Sequence, residues 1–273
     1  MTILAFDFGG TKLAAALIDL NHPAQVQRLV APTPAEEGPD AVLEAMFGLG
    51  NQACRSSKAK PTAVGISYGG PVSPDRQRCV LSNHIPGWVD FPLVKRVEER
   101  FGLPVSMDND ANVAALGSWV VDANREPDHF MYVQASTGIG GGLVLNRKLY
   151  RGGSMAGEIG HTQVIGNPAK CVCGNHGCLE TICAGWGIAQ RAAELLGDGT
   201  KPTAEEVFAS IRSGDETFKA MIEYAFTAFG INVANAVSLF DLQQVIFGGG
   251  IFRSHDIIEP ILLPAIDKAT PGY

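Results

Sequence analysis

Hydrophobic and polar positions along the chain form two successive series of strand-like and helix-like segments. Each series opens with two apolar runs joined across glycines, which is the signal of a strand, a turn and a second strand. The first opening covers residues 2–19 and turns at 9–11. The second covers residues 130–145 and has its glycine-rich turn at 138–142. Apolar residues at helical spacing and short buried apolar runs follow each opening, and these predict an α/β protein.

The other predicted elements continue this alternation. Helices are predicted at 39–57, 93–101, 113–120, 183–196, 203–213, 216–239 and 257–266, and strands at 63–67, 105–107 and 244–247. A polar loop is expected through Asn83 and Trp88. The repeated opening predicts two α/β halves, a smaller domain over residues 1–121 and a larger one over residues 122–273.

Composition narrows the class of protein. A length of 273 residues favours two domains. A content of 46% hydrophobic and 18% charged residues argues against a disordered chain. The net charge of −7 makes nonspecific binding to the phosphate backbone of nucleic acid unfavourable. We expect no membrane span, because no apolar run reaches about 18 residues. The first residues lack the basic start of a secretory signal, so we expect a cytoplasmic protein.

The first hairpin carries the chemistry of a phosphate site in Asp7-Phe-Gly-Gly-Thr-Lys12. Paired glycines let backbone N–H groups approach a polyphosphate, the Thr11 hydroxyl and Lys12 ammonium can donate to it, and Asp7 can hold Mg²⁺ through water. The spacing differs from Gly-x-x-x-x-Gly-Lys-Ser/Thr, which excludes that nucleotide loop. A tight hairpin with a solvated lysine is the alternative. The candidate residues are Asp7, Gly9, Gly10, Thr11 and Lys12.

Two further glycine clusters suggest the same chemistry. The second hairpin, Ser136-Thr-Gly-Ile-Gly-Gly-Gly142, adds two hydroxyls and makes Thr137 and Gly138 phosphate candidates, with a simple turn as the alternative. The cluster Gly248, Gly249 and Gly250 ends the last strand, where ligands of open α/β sheets bind. A strand-to-helix turn is its alternative. Three clusters in this order favour a cleft between two related halves.

Carboxylates and amides supply candidate groups for acid–base work and for binding sugar hydroxyls. Asp110 lies with Asn109 at a strand-to-helix corner, where a carboxylate can accept the proton of a hydroxyl that attacks a phosphoryl group. The alternative is that Asp110 or Asp108 caps the helix. Glu158, His161 and Glu180 could ring a hydroxyl-rich ligand, although a single glutamate is more often solvated.

Three of the six cysteines fall within eight residues, at Cys171, Cys173 and Cys178, and His161 precedes them by ten. Three thiolates and one imidazole satisfy a closed tetrahedral Zn²⁺ site, whose role is structural because no position stays open for water. His176 inside the cysteine loop is a rival ligand. A disulfide conflicts with the expected compartment. The other thiols, Cys54, Cys79 and Cys183, are expected to be ordinary buried or half-buried side chains.

Four motifs follow one another along the chain. They are Asp-Phe-Gly-Gly-Thr-Lys at 7–12, Asn-Asp-Ala-Asn-x-Ala-Ala-Leu-Gly at 109–117, Gly-Glu-Ile-Gly-His at 157–161 and Cys-x-Cys-Gly-x-x-Gly-Cys-x-Glu at 171–180. Together they resemble the ROK (repressor, open reading frame, kinase) family of sugar kinases, within the actin, Hsp70 and hexokinase superfamily, over about residues 3–252. The resemblance implies a two-lobed actin-like ATPase (ribonuclease H-like) fold with mixed sheets and a cleft between the lobes.

The resemblance also implies ATP- and Mg²⁺-dependent phosphorylation of a hexose, usually at O6, with Asp110 as catalytic base. The positions that match sugar ligands are Asn109, Glu158, His161 and Glu180. Those that match the phosphate turns and the nucleoside end are Asp7, Gly10, Thr11, Lys12, Thr137 and Gly248–Gly250. Zinc would then pin the loop between His161 and Glu180, so that a structural metal sets the geometry of the sugar pocket.

Asn83-His-Ile-Pro-Gly-Trp88 resembles the sugar loop of glucose-directed members, which favours a glucokinase with Asn83 as a sugar ligand. N-acetylglucosamine, N-acetylmannosamine, mannose and fructose kinases remain alternatives, because a few contacts separate these substrates. A non-catalytic sugar-binding regulator is the alternative of another class, and a zinc-dependent interaction module fails to explain the glycines. By resemblance we expect a homodimer. The family usually continues beyond 257–266 with a strand and a glycine-rich helix, so we expect either a short member or a truncated chain.

Overall fold

The computed structural model describes residues 1–23, 26–82, 85–121 and 127–272. The chain divides into two compact units, the first formed by Met1–Ala123 with Arg151–Met155 and the second by Asn124–Tyr150 with Ala156–Tyr273. Each unit has its own β-sheet and its own apolar core. Because residues 122–126 lie outside the described ranges, the domain boundary at residue 122 stays a prediction.

The first unit is built on a five-stranded mixed sheet. Its strands and helices are β1 (Thr2–Phe8), β2 (Lys12–Asp19), β3 (Arg28–Pro32), α1 (Pro39–Arg55), β4 (Ala63–Tyr68), β5 (Cys79–Leu81), β6 (Val89–Phe91), α2 (Leu93–Phe101), β7 (Val105–Asn109) and α3 (Asp110–Val121). The strand order is β3-β2-β1-β4-β7, and β5 pairs separately with β6. β1, β2 and β3 are antiparallel neighbours, whereas β1, β4 and β7 run parallel.

The two faces of this sheet differ in side-chain size and polarity. Leu4, Phe6 and Phe8 alternate along β1 toward the buried face, whose core they share with residues of α1 and α2. The residues between them face the other side, where Asp7 of β1 stands in register with Ser67 of β4. Because β1, β4 and β7 are parallel and in register, their carboxyl ends meet at one edge. The first group of candidate residues lies at this edge.

The second unit repeats the opening hairpin in a four-stranded mixed sheet. Its elements are β8 (Phe130–Ala135), β9 (Ile139–Leu145), β10 (Lys148–Tyr150), α4 (Glu180–Cys183), α5 (Gly185–Leu196), α6 (Ala204–Arg212), α7 (Lys219–Phe240), β11 (Gln244–Gly248) and α8 (His255–Ala269). The order is β10-β9-β8-β11, with β8 and β11 parallel and the other pairs antiparallel. An apolar stripe of α7 that includes Ile222, Phe229 and Val233 belongs to the core, together with Ile258 and Leu262 of α8.

The predicted α/β class, both opening hairpins and the long helix near the C-terminus are confirmed. The helix predicted at 183–196 is confirmed as α5, which begins two residues later because Ala184 is extended and Cys183 ends the separate helix α4. The turn predicted at 138–142 was wrong, because the chain turns at 136–138 and Gly140, Gly141 and Gly142 lie inside β9 opposite β8. A side chain on Gly141 would collide with Met131 and with the backbone at Gly157, so glycine serves packing there rather than turning.

Among the described residues, no helix is both long and apolar enough to cross a membrane.

Close packing of α7 against α8 depends on Gly230. A Cβ atom at this position would lie 2.6 Å from Cβ of Ala265 and 2.9 Å from the carbonyl oxygen of Leu262. We therefore expect Gly230→Ala to lower the free energy of unfolding by about 1–3 kcal/mol through overpacking. The matched control is Gly48→Ala on the exposed face of α1. A Cβ at this position would meet no described atom within 4 Å apart from its chain neighbours and the backbone of its own helix. Helix propensity should make this control more stable by up to about 1 kcal/mol. Urea unfolding measures both, and equal stability of the two variants would contradict the packing argument.

Candidate functional site

The turn between β1 and β2 is a tight, braced hairpin. The Gly9 N–H donates to the carbonyl oxygen of Lys12 at 3.1 Å, and a Cβ on Gly9 would lie 2.8 Å from that oxygen. Thr33, just after β3, donates its hydroxyl to the Gly9 carbonyl at 2.7 Å and its N–H to the Thr11 carbonyl at 3.1 Å. The Thr11 and Lys12 residues are exposed on this rigid turn. They can therefore donate to an anion without a loss of backbone order.

Asn109 and Asp110 form the corner between β7 and α3. Asn109 Oδ1 accepts hydrogen bonds from the N–H groups of Ala111 at 3.0 Å and Asn112 at 3.4 Å, which are the contacts of a helix N-cap. Asn109 Nδ2 donates to the Gly70 carbonyl at 3.2 Å. The capping role considered for an aspartate therefore belongs chiefly to Asn109, although Asp110 Oδ1 also accepts from the Ala111 N–H at 2.8 Å.

Gly69, just after β4, brings the first turn and this corner together. A Cβ on Gly69 would lie 3.8 Å from Gly9 Cα and 3.9 Å from Asp110 Oδ2. The Asp110 carboxylate and the glycine turn therefore approach the same point at the carboxyl edge of the sheet. A carboxylate beside a candidate phosphate-binding turn fits the arrangement that a base in phosphoryl transfer requires.

Asp7 lies near the end of β1, two residues before Gly9, and two side chains contact its carboxylate. Its Oδ1 accepts from the Ser67 hydroxyl at 2.9 Å, and its Oδ2 lies 3.6 Å from the Arg28 guanidinium. The Arg28 pair is largely exposed, so it contributes little to stability. The partly exposed Asp7 carboxylate fits the predicted role of holding Mg²⁺ through water.

Asp108 and Arg151 are functional candidates that sequence reasoning missed. Arg151 Nε donates to Asp108 Oδ2 at 2.7 Å, and the Asp108 side chain is only 8% exposed. The two residues lie 43 positions apart in sequence, and Arg151 belongs to no motif. The sequence signal that could have pointed to this pair is the second acid of Asp108-Asn-Asp110, because a carboxylate that is buried at the end of a strand requires a cation.

In the second unit, the β8–β9 turn and the last glycine cluster lie side by side. The Ser136 N–H donates to the Gly138 carbonyl, and the Ser136 carbonyl accepts from Gly185 at the start of α5. Gly249 has a positive φ of 94°, and a Cβ there would lie 2.3 Å from the Ala135 carbonyl oxygen. Only glycine fits this position. The structure thus brings Thr137 and Gly138 together with the turn at 248–250.

Glu180 joins the same hairpin to α4. Its buried carboxylate accepts from the Ile139 N–H at 2.9 Å and from the Trp186 indole N–H at 3.4 Å. A Cβ on Gly138 would lie 2.8 Å from Glu180 Oε2, so glycine leaves the space that this carboxylate occupies. Glu180 therefore orients the β8–β9 turn that carries the candidate phosphate residues Thr137 and Gly138. Its position in the sequence did not reveal this role.

The segment from Gly157 to His161 lies directly against β9. A Cβ on Gly157 would lie 2.4 Å from the Gly141 carbonyl oxygen, and one on Gly160 would lie 2.3 Å from the Ile139 carbonyl oxygen. Both glycines permit backbone contact that any larger residue would prevent. Glu158 and His161 are thereby fixed beside the hairpin.

His161, Cys171, Cys173 and Cys178 form one cluster whose ligand atoms all lie within 4.8 Å of one another. His161 Nδ1 lies 3.7 Å from Cys171 Sγ, and Cys173 Sγ lies 3.6 Å from Cys178 Sγ. Metal bonds of about 2.3 Å to sulfur and 2.0–2.1 Å to nitrogen, at tetrahedral angles, separate neighbouring ligand atoms by roughly 3.5–3.8 Å. The donor set therefore fits a single tetrahedral metal ion.

The rival ligand His176 stays outside this cluster. Its residue is exposed in the loop, and its backbone forms an isolated bridge with Lys170. Burial raises the pKa of Cys178 to about 12, with hydrogen bonds to Cys173 and Cys171 acting in the same direction. A metal that binds this thiol as a thiolate must displace its proton.

Asn83 and His84 lie outside the described residues, so the structure says nothing of the predicted sugar ligand Asn83. The described part of that segment ends at Trp88, which is fully buried. Its ring stacks on Phe91 with centroids 5.0 Å apart and on Tyr68 at 5.7 Å. Trp88 therefore anchors the segment in the core of the first unit.

Comparisons with known proteins agree with this fold and these motifs. The sequence profile of the ROK family matches residues 3–268. An N-acetylmannosamine kinase of Salmonella typhi is 33% identical over 277 residues, covering 100% of this chain and 91% of the relative. A ROK hexokinase from Thermus thermophilus superimposes with a TM-score of 0.84 at 33% identity, covering 98% of this chain and 89% of that one. A ROK family glucokinase from Streptomyces griseus, solved in complex with glucose and AMPPNP, gives 0.80 at 29% identity over 98% and 88% of the two chains.

These comparisons define an α/β protein with the actin-like ATPase fold that acts as an ATP-using sugar kinase. Within that class, the chain belongs to the ROK family. The resemblance drawn from the four sequence motifs is confirmed.

The ligand cluster predicts that the purified chain carries about one metal ion per molecule, as four-ligand stoichiometry requires. Cys178→Ser should remove most of this metal and lower the melting temperature, because a hydroxyl is a poor replacement for a thiolate. Elemental analysis after dialysis measures the content. Cys183→Ser is the matched control, since this buried thiol lies outside the cluster and donates to the Ala225 carbonyl, a bond that serine can keep. Full metal content in Cys178→Ser would refute the assignment.

Proposed function

We propose that the chain transfers the γ-phosphoryl group of ATP to the 6-hydroxyl of a hexose, and that glucose is its first candidate substrate. The observation that carries this proposal is the placement of Asp110 beside the first glycine turn, at the carboxyl edge where β1, β4 and β7 end. The Asp-Asn-Asp corner and the turn are both braced by hydrogen bonds, so their geometry is set before substrate binds.

Asp110 acts as the general base. Its carboxylate accepts the proton of the sugar hydroxyl while the hydroxyl oxygen bonds to the γ-phosphorus and the bond from this phosphorus to the bridging oxygen of ADP breaks. The Lys12 ammonium, the Thr11 hydroxyl and the backbone N–H groups of the turn stabilise the phosphate charge. Asp7 would hold Mg²⁺ through water, and the ion would supply further neutralisation of the polyphosphate charge. Thr137, Gly138 and Gly248–Gly250 bind the remainder of the nucleotide.

Sugar hydroxyls are bound by the candidates Asn83, Asn109, Glu158, His161 and Glu180. Carboxylates suit this role because each has about four acceptor sites, so Glu180 keeps capacity beyond its two protein partners. His161 uses Nδ1 toward the metal cluster and leaves Nε2 for another contact. The resemblance of 83–88 to glucose-directed members supports glucose.

Zinc is the metal we assign to the cluster. Three thiolates and one imidazole in tetrahedral arrangement match its preferences, and a closed four-ligand set gives it a structural role. It would fix the loop from His161 to Glu180. A homodimer and a cytoplasmic location stay predictions.

N-acetylmannosamine is the second candidate substrate. The observation that favours it is the 33% identity to an N-acetylmannosamine kinase along the whole chain. Mannose is the C2 epimer of glucose, N-acetylglucosamine is the C2 epimer of N-acetylmannosamine, and fructose is a ketose isomer of glucose. A few contacts can accept or reject each of them.

A coupled assay of ADP release tests the substrate class. Glucose, mannose, fructose, N-acetylglucosamine and N-acetylmannosamine are compared by kcat/KM, and the phosphorylated carbon is located by NMR. We expect the highest kcat/KM with glucose and phosphorylation at carbon 6. A preference for N-acetylmannosamine would replace the first candidate by the second. Absence of sugar-dependent ADP release across the panel would refute the proposed function.

Removal of the base tests the role of Asp110. Asp110→Asn should lower kcat by about 10²–10⁴, the contribution of a general base, while sugar affinity measured by calorimetry stays close to that of the parent. Asp40→Asn is the control, because this aspartate of the same unit is 82% exposed and pairs only with Arg96 among the described residues. Near-normal turnover by Asp110→Asn would show that another group takes the proton.

A further inference from the structure

The buried Asp108 carboxylate accepts hydrogen bonds from three protein groups beside the proposed base Asp110. Its Oδ1 accepts from the Asn109 N–H and from Asn112 Nδ2, both at 2.9 Å, and its Oδ2 accepts from Arg151 Nε at 2.7 Å. Asn112 is itself buried in the first turn of α3. Asp108 therefore ties the end of β7 to the start of the helix, and Asp110 lies between these two attachment points.

Arg151 is the cation that makes this burial possible. Among the described residues it forms the one ion pair of Asp108, and its own side chain is 34% exposed. A buried carboxylate that loses its partner charge must move toward water or rearrange its hydrogen bonds. Either movement shifts the Asn109 backbone, which is bonded to Asp108, and with it the adjacent Asp110.

Other charges nearby cannot easily replace Arg151. Asp108 and Arg151 line a cavity of about 420 Å³ on the small-residue face of the first sheet, with Asp7, Arg28 and Arg76. Arg28 is already directed to Asp7. Arg76, on a turn before β5, forms no ion pair with Asp108 among the described residues.

We propose that Arg151 is a positioning residue for the base Asp110 and acts through Asp108. This rests on the proposed function, in which Asp110 takes the proton. Arg151 touches neither the sugar nor the nucleotide in this scheme. Its effect therefore falls on the chemical step, where a misplacement of about 1 Å can cost roughly 10²-fold.

The first test compares Arg151→Met with Arg151→Lys in steady-state kinetics. Arg151→Met should lower kcat by about 10–10², with KM for sugar and for ATP within about twofold of the parent. Arg151→Lys should recover most of the loss, because a single donor contacts Asp108 and an ammonium can replace it. The control Arg96→Met removes the Arg96–Asp40 pair of the same unit and should leave kcat unchanged.

A double-mutant cycle tests the route through the base. In the Asp110→Asn background, Arg151→Met should cause little further loss of kcat, because the group that it positions is already absent. Asp108→Asn and Asp108→Asn/Arg151→Met should likewise lose about as much as Arg151→Met alone. Full additivity of Arg151→Met with Asp110→Asn would overturn the proposal.

The remaining outcomes also decide the matter. Unchanged kcat in Arg151→Met, a loss confined to KM, or failure of Arg151→Lys to recover activity would overturn the positioning role. If the parent chain shows no sugar-dependent ADP release, it is the proposed function that fails. Crystal structures of the parent and Arg151→Met then test the positioning directly: displacement of the Asp110 carboxylate supports it, and an unmoved carboxylate refutes it.

Discussion

Direct backbone contact around the β8–β9 hairpin is the constraint on which the second unit depends. Gly141 and Gly157 face each other so closely that a Cβ on either would lie within 2.5 Å of the other's carbonyl oxygen. Gly160 meets the Ile139 carbonyl in the same way. The segment that carries Glu158 and His161 can therefore sit in one place only.

The segment from His161 to Glu180, which carries the three clustered cysteines, begins and ends against this hairpin. His161 follows the glycine segment that packs on β9, and Glu180 returns to the hairpin through the Ile139 N–H. Between them, three cysteines gather beside His161. A metal that closes this loop would then fix both ends relative to Thr137 and Gly138. The glycine-rich hairpin and the cysteine cluster are thus joined at both ends, through His161 and through Glu180.

Much of this arrangement could be predicted from local sequence. Hairpins, amphipathic helices and the metal ligands leave signals within about twenty residues, and the histidine ten positions ahead of Cys171 proved to be the one in the cluster. The missed strands β3, β5, β6 and β10 are only three to five residues long and partly exposed, so their alternation is too brief to read. Glu180 and Arg151 were missed as positioning groups because their partners are 41 and 43 residues away.

The corner at 108–110 shows how three adjacent polar residues acquire different tasks from backbone geometry alone. Strand alternation points Asp108 to the small-residue face, where Arg151 offsets its charge. Asn109 ends the strand, and its side chain binds the first N–H groups of the helix. Asp110 begins the helix and lies beside the glycine turn. The end of β7 at Asn109 therefore separates a buried acid that is held by arginine from the acid that begins α3.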